Sequence, residues 1–179
     1  MVPSNIVSTN QLNPKPEIDR LTMSNENTPT LFESSIPFED SRIQAAAVYC
    51  SDGRFGNQFD EFMQNSLRLP RYDRLAVPGG AACIARHFST YREEEGVTEQ
   101  LRFLVEVHNL ERVVLIAHQG CAFYTERLRI SPLQLEAQQH EDMQKAVECV
   151  RSIGPNLRVD AFFARKRRDL TIQFEVLEL

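Results

Sequence analysis

The chain of 179 residues has no tryptophan, seven glycines and four cysteines. It has no apolar run approaching the ~20 residues that a membrane-spanning helix needs, which argues against a helical membrane protein. Four scattered cysteines do not make the disulfide framework of a small secreted scaffold. The opening Met1-Val2-Pro3-Ser4-Asn5 has no basic stretch followed by an apolar one. A secretory signal is therefore not expected, and a reducing, cytoplasmic setting is. There is also no excess of positive charge: 20 Lys and Arg against 25 Asp and Glu give -5, with a pI near 5.4. That argues against a nucleic-acid binder working by bulk electrostatics. One basic run, Arg165-Lys166-Arg167-Arg168, lies between two strand-like segments and reads as a solvated hairpin tip.

What is present fits one ordinary domain with a tail. Hydrophobic residues make up 42% of the chain, enough for a core. Residues 1–40 are rich in Asn, Ser, Thr, Pro and Glu and show no period, so they read as a flexible or partner-bound arm. Leu31, Phe32, Ile36 and Phe38 are its means of ordering against a partner subunit. Met23 is a second candidate start, which would make the first 22 residues dispensable.

Over 41–179 the pattern alternates between strands and helices, as expected of a single α/β domain. Strands are expected near 45–50, 74–77 and 112–117, with helices near 57–68, 81–92 and 97–109. Ser131-Pro132-Leu133-Gln134 reads as a helix start, and Gly154-Pro155 as its end. Two last strands, near 157–164 and 170–177, read as an antiparallel pair. The expected fold is a mainly parallel sheet with flanking helices and an antiparallel C-terminal edge strand.

Two short strings follow predicted strands. Cys50-Ser51-Asp52-Gly53-Arg54 follows the first and His118-Gln119-Gly120-Cys121 follows the third. Right-handed crossovers bring these carboxyl ends together, where sites form in open α/β sheets. Five of the seven glycines also fall at such strand ends. Cys50, His118 and Cys121 offer two thiolates and an imidazole, a catalytic ligand set for zinc that leaves a fourth place for water. Two thiolates make that water less acidic than three imidazoles would, so activity is expected to rise into the alkaline range. Asp52 either orients the zinc-bound water or binds zinc itself and closes the site. Arg54, two residues on, is placed to clamp it as a bidentate pair. Cys83 and Cys149 sit in helix-like apolar patterns and read as small core residues. His87, His108 and His140 read as surface or packing residues. Phe123 and Tyr124 read as packing residues, with a pocket beside Cys121 as the alternative.

These motifs resemble the beta-class carbonic anhydrases, which carry C-x-D-x-R after the first core strand and H-x-x-C after the third. The resemblance spans roughly 43–179 and includes Val77-Pro78-Gly79-Gly80-Ala81, at the place of the family's glycine-containing loop. It implies zinc held by Cys50, His118 and Cys121, with Asp52 and Arg54 as a gating pair. The implied reaction is reversible hydration of carbon dioxide to bicarbonate by a zinc-bound hydroxide. It also implies a homodimer or higher homo-oligomer, with no nucleic-acid or membrane partner. Ala122 replaces the family's usual glycine, Gly53 its usual serine, and the family's N-terminal helices are not evident. Two alternatives remain: a hydrolase of carbonyl sulfide or carbon disulfide on the same site, and a non-catalytic zinc-binding relative. No allosteric bicarbonate site can be placed from the motifs.

Overall fold

The computed structural model describes Thr22, Met23 and residues 29–179, which fall in two units divided after Asp40. In the first unit, Thr22–Met23 pairs antiparallel with Pro29–Thr30. The hypothesis about the first 22 residues otherwise lies outside the described residues.

The second unit, Ser41–Leu179, is built on a five-stranded sheet. Its strands are β1 (Ala45–Cys50), β2 (Asp73–Val77), β3 (Arg112–His118), β4 (Arg158–Lys166) and β5 (Ile172–Val176). The order is β2-β1-β3-β4-β5; the first four run parallel and β5 runs antiparallel to β4. The chain steps from β1 outward to β2, then returns to the other side of β1 with β3. That reversal puts a topological switch point at the carboxyl ends of β1 and β3, where such sheets open a crevice.

Both faces of the sheet are covered, which is why β1 and β3 read as continuous apolar runs. One face sets Ala46, Val48, Val113, Leu115 and Phe163 against Leu101 of α2 (Tyr91–Val107) and Met143, Ala146, Val147 and Val150 of α3 (Leu135–Ile153). The other sets Ala45, Ala47, Tyr49, Val114, Ile116 and Phe162 against Phe59 of α1 (Gly56–Glu61) and Met63. The last turn of this first helical segment widens to a π turn over Phe62–Ser66. Burying each such large side chain contributes about 1.5–3 kcal/mol.

The helix expected near 81–92 is not there. Gly80–Ile84 forms a short 3-10 turn, Phe88–Thr90 a second, and α2 begins only at Tyr91. Residues 80–85 are buried throughout, so their apolar character marks enclosure and not the stripe of an amphipathic helix. Arg86 then takes a left-handed φ of 63° and breaks the run. The start of α2 is fixed by the buried Glu94 carboxylate. It accepts hydrogen bonds from the His87 backbone N–H at 2.5 Å and the Thr90 hydroxyl at 2.7 Å. The helix start read at Ser131 is also shifted. The Ser131 hydroxyl donates to Gln134 Oε1 at 3.0 Å, and α3 begins at Leu135.

His87 also ties this loop to α3. Its Nε2 lies 2.7 Å from Oδ2 of the fully buried Asp142, whose Oδ1 accepts from Gln138 Nε2 at 2.9 Å. The hydrogen bond to Asp142 raises the His87 pKa above 6.5, against the opposing effect of burial. A raised histidine stabilises the fold fully below the unfolded value, and the contribution is lost as pH rises through the folded one. Melting temperature is therefore expected to fall as pH rises from about 6 past neutrality. His87→Gln should flatten that slope. Calorimetry across pH checks this, and parallel curves for parent and variant would count against it.

Candidate metal centre

Cys50 is the last residue of β1 and His118 the last of β3. Cys121 follows in a tight turn made at Gly120, whose φ is 69°. The two sulfurs are 3.8 Å apart, and the ligand atoms of Cys50, His118 and Cys121 all lie within 4.8 Å of one another. All three residues are buried. Such a set can hold a metal ion.

The imidazole is oriented for that task. His118 Nδ1 faces the Gln119 carbonyl oxygen at 3.1 Å, which marks Nδ1 as the protonated nitrogen. The Phe55 ring packs against it at 4.3 Å between centroids. Nε2 is left as a buried lone pair without a hydrogen-bond partner. An orphaned buried polar atom costs about 1–3 kcal/mol, and a metal ion removes that cost.

The thiols are prepared as well. The Cys50 thiol is pulled down by its hydrogen bond with Cys121, against the opposing effect of burial and with help from the backbone N–H groups of Gly79 and Asp52. Cys121 is pushed up, because it shares its proton with Cys50 and because it is buried. An apolar shell of Ala82, Tyr124 and Leu135, with Phe123 beside it, surrounds the two sulfurs.

Asp52 and Arg54 stand next to this group as a fork. Arg54 Nε donates to Asp52 Oδ1 at 2.9 Å and Nη2 donates to Oδ2 at 2.5 Å. The guanidinium holds the Asp52 carboxyl down at about 2. In this arrangement both carboxylate oxygens of Asp52 are engaged by the Arg54 guanidinium.

Gly80 brings the second-strand loop against the site. A Cβ on Gly80 would lie 2.7 Å from the Cys50 backbone nitrogen, and one on Gly79 would lie 2.6 Å from the Phe123 ring. Both have left-handed φ values, 55° and 87°. The Gly79-Gly80 pair is thus required by backbone contact with the Cys50 strand end and by ring contact with the turn after Cys121.

The family model described as "Putative carbonic anhydrase" matches residues 40–176. The chain belongs to this carbonic anhydrase family. Its fold is similar to a beta-carbonic anhydrase isoform from Trichomonas vaginalis, at 12% identity and a TM-score of 0.50, over 81% of this chain and 90% of that one. It is equally similar to a carbonic anhydrase from Streptococcus mutans, at 13% identity and 0.50, over 82% and 88%. No curated protein matches the chain by sequence. Among the described residues, no helix is long and apolar enough to cross a membrane.

Of the other residues singled out in the sequence, Cys83 and Cys149 are buried and are not members of this ligand group. His108 Nδ1 meets Asp73 Oδ2 at 2.6 Å. His140 packs against the Phe163 ring. Tyr124 is buried, and Phe123 packs beneath Gly79. Sequence reading missed two supports of His118: Phe55 against its ring, and Gln139, whose Nε2 donates to the His118 carbonyl at 2.9 Å. The buried Gln139 sits on α3 with no local signal that it reaches β3.

Proposed function

We propose that this protein is a zinc-dependent carbonic anhydrase that hydrates carbon dioxide reversibly to bicarbonate. The observation that carries the reading is the buried, unpartnered His118 Nε2 facing the Cys50 and Cys121 sulfurs. Two sulfurs and one imidazole nitrogen match a catalytic zinc set with one place open. A zinc ion held there supplies Lewis acidity and makes water a nucleophile near neutral pH.

The protein's own residues do the rest. Cys50, His118 and Cys121 would hold the ion beside an apolar shell, where its charge would act with little screening. Asp52, kept ionised and aimed by Arg54, accepts a hydrogen bond from the attacking water and orients it. Released from Arg54, Asp52 would be free to bind the ion itself and close the site; with Asp52 held by Arg54 the fourth place would stay open for water, bicarbonate would leave from it, and the proton would pass to buffer. The same reading takes the enzyme as a homodimer or larger homo-oligomer, checked by light scattering, in a cytoplasm that keeps its free cysteines reduced.

The test is stopped-flow hydration from about pH 6.5 to about 9 on protein assayed for zinc in the same sample. Turnover rising with pH supports the reading. Full zinc with no turnover would discard it and leave another small electrophile, such as carbonyl sulfide, or a non-catalytic zinc protein. Asp52→Asn should keep its zinc and lose roughly 10²-fold in kcat with an altered pH profile. Equal rates in variant and parent across pH would remove Asp52 from the mechanism.

A further inference from the structure

The basic run sits at the β4–β5 turn with Lys166, Arg167 and Arg168 exposed, but its members are engaged differently. Arg165 is turned onto two carboxylates, with Nη2 2.7 Å from Glu136 Oε1 and Nε 2.8 Å from Glu175 Oε1. Lys166 is different. Its backbone N–H donates to Gln119 Oε1 at 3.1 Å, which ties the hairpin to the turn between His118 and Cys121. Its ammonium has no ion-pair partner among the described residues.

Lys166 lines a cleft of about 450 Å³ together with Arg54, Phe55, Gln58, Gln119 and Ile172. The charged residues of this lining are Arg54 and Lys166, both cations, and no carboxylate lines it. In a chain of net charge -5 that is a local reversal of sign. The donors are also uncommitted. Arg54 uses Nε and Nη2 on Asp52, leaving Nη1. Gln119 has its Oε1 engaged by the Lys166 N–H, leaving its amide NH₂. The apolar lining is Phe55, Leu170 and Ile172; the Phe55 ring also packs on His118, so the cleft adjoins the metal centre.

We infer that this cleft captures a small planar oxyanion of the carboxylate type, held by Lys166 with the free edge of Arg54. Naming that anion as bicarbonate rests on the proposed function; the cleft's preference for an oxyanion does not. A planar anion with two oxygens suits a guanidinium edge and a point charge from lysine. Lys166 is thereby a specificity-determining residue for the anionic side of the reaction. Uncharged carbon dioxide has no use for it.

Binding can be read without turnover. Carbon-13 acetate, a planar carboxylate that the proposed reaction does not consume, is titrated into the zinc-loaded full-length protein at low ionic strength and followed by NMR line broadening. Lys166→Gln should weaken acetate binding roughly three- to tenfold with zinc content unchanged. Lys166→Arg should stay within about twofold of the parent. Arg168→Gln removes a charge from the same run but outside the cleft lining, and should leave binding unchanged. Unchanged binding in Lys166→Gln would overturn the inference, and so would an equal loss in Arg168→Gln, which would mean bulk charge alone. Lys166-dependent binding in a protein that hydrates no carbon dioxide would instead overturn the proposed function and leave the cleft assigned. Turnover with binding indifferent to Lys166 would do the reverse.

Discussion

On the proposed function, His118→Ala is expected to leave the protein without zinc and without carbon dioxide hydration. The loss follows from geometry. His118 Nε2 is the one nitrogen in the group, it is buried, and it has no other partner. With it gone, two sulfurs 3.8 Å apart remain, and a two-ligand site does not retain zinc against solvent. Deleting a supporting outer residue typically costs about 10–100-fold in metal affinity. Loss of a direct ligand should exceed that, so purified variant should carry well under one zinc per chain by elemental analysis. Stability gives a second readout. A metal that binds only the folded chain raises its melting temperature by mass action. A chelator should therefore lower the melting temperature of the parent and leave that of His118→Ala unmoved. Cys121→Ser, nearly isosteric, should behave the same way and separates ligand loss from cavity formation. Stoichiometric zinc in either variant would sink the assigned ligand set.

Gly80→Ala is expected to damage the site as badly from a residue that binds nothing. A Cβ at Gly80 meets the Cys50 nitrogen at 2.7 Å and the Tyr49 carbonyl carbon at 2.8 Å, both backbone atoms. Backbone in a buried central strand cannot yield as a flexible side chain would. The left-handed φ of 55° adds about 1–2 kcal/mol for any residue with a Cβ. Together these should exceed about 2 kcal/mol and lower the melting temperature by roughly 5–10 °C. Relief comes only by moving the end of β1, which carries Cys50, so zinc affinity should fall as well. Gly53→Ala is the control, because its Cβ would meet nothing within 4 Å. Both glycines follow strand ends in the sequence; only Gly80 is pressed against one. A Gly80→Ala protein with parental melting temperature and zinc affinity would refute the account.

The pairing of C-x-D-x-R and H-x-x-C was legible because each motif is local and each follows a buried strand. Cys50, Asp52 and Arg54 are neighbours in the chain, so the Asp52–Arg54 fork needs little from the rest of the fold. The segment after β2 was misread for a physical reason. Ala81, Ala82, Ile84 and Ala85 match a helical stripe by composition, yet they are enclosed on every side. Helical periodicity tells nothing where burial is complete. The basic run is a hairpin tip with Lys166, Arg167 and Arg168 exposed, as expected, but its anchors could not be read because they are distant: Glu136 is 29 residues from Arg165, and Gln119 is 47 from Lys166.

The sequence by itself determined the kind of atoms at the site, the strand ends that bear them and the alternating order of strands and helices, since side-chain chemistry and hydrophobic period are local properties. The tertiary structure decided what depends on distance across the chain. It set β1 beside β3 so that three ligand atoms meet, and it left Nε2 as the free nitrogen of His118 by bonding Nδ1 to the backbone. It also laid Gly80 against Cys50 and turned Lys166 toward the cleft beside Arg54. Those relations come from packing two covered faces around one sheet, and no window of neighbouring residues contains them.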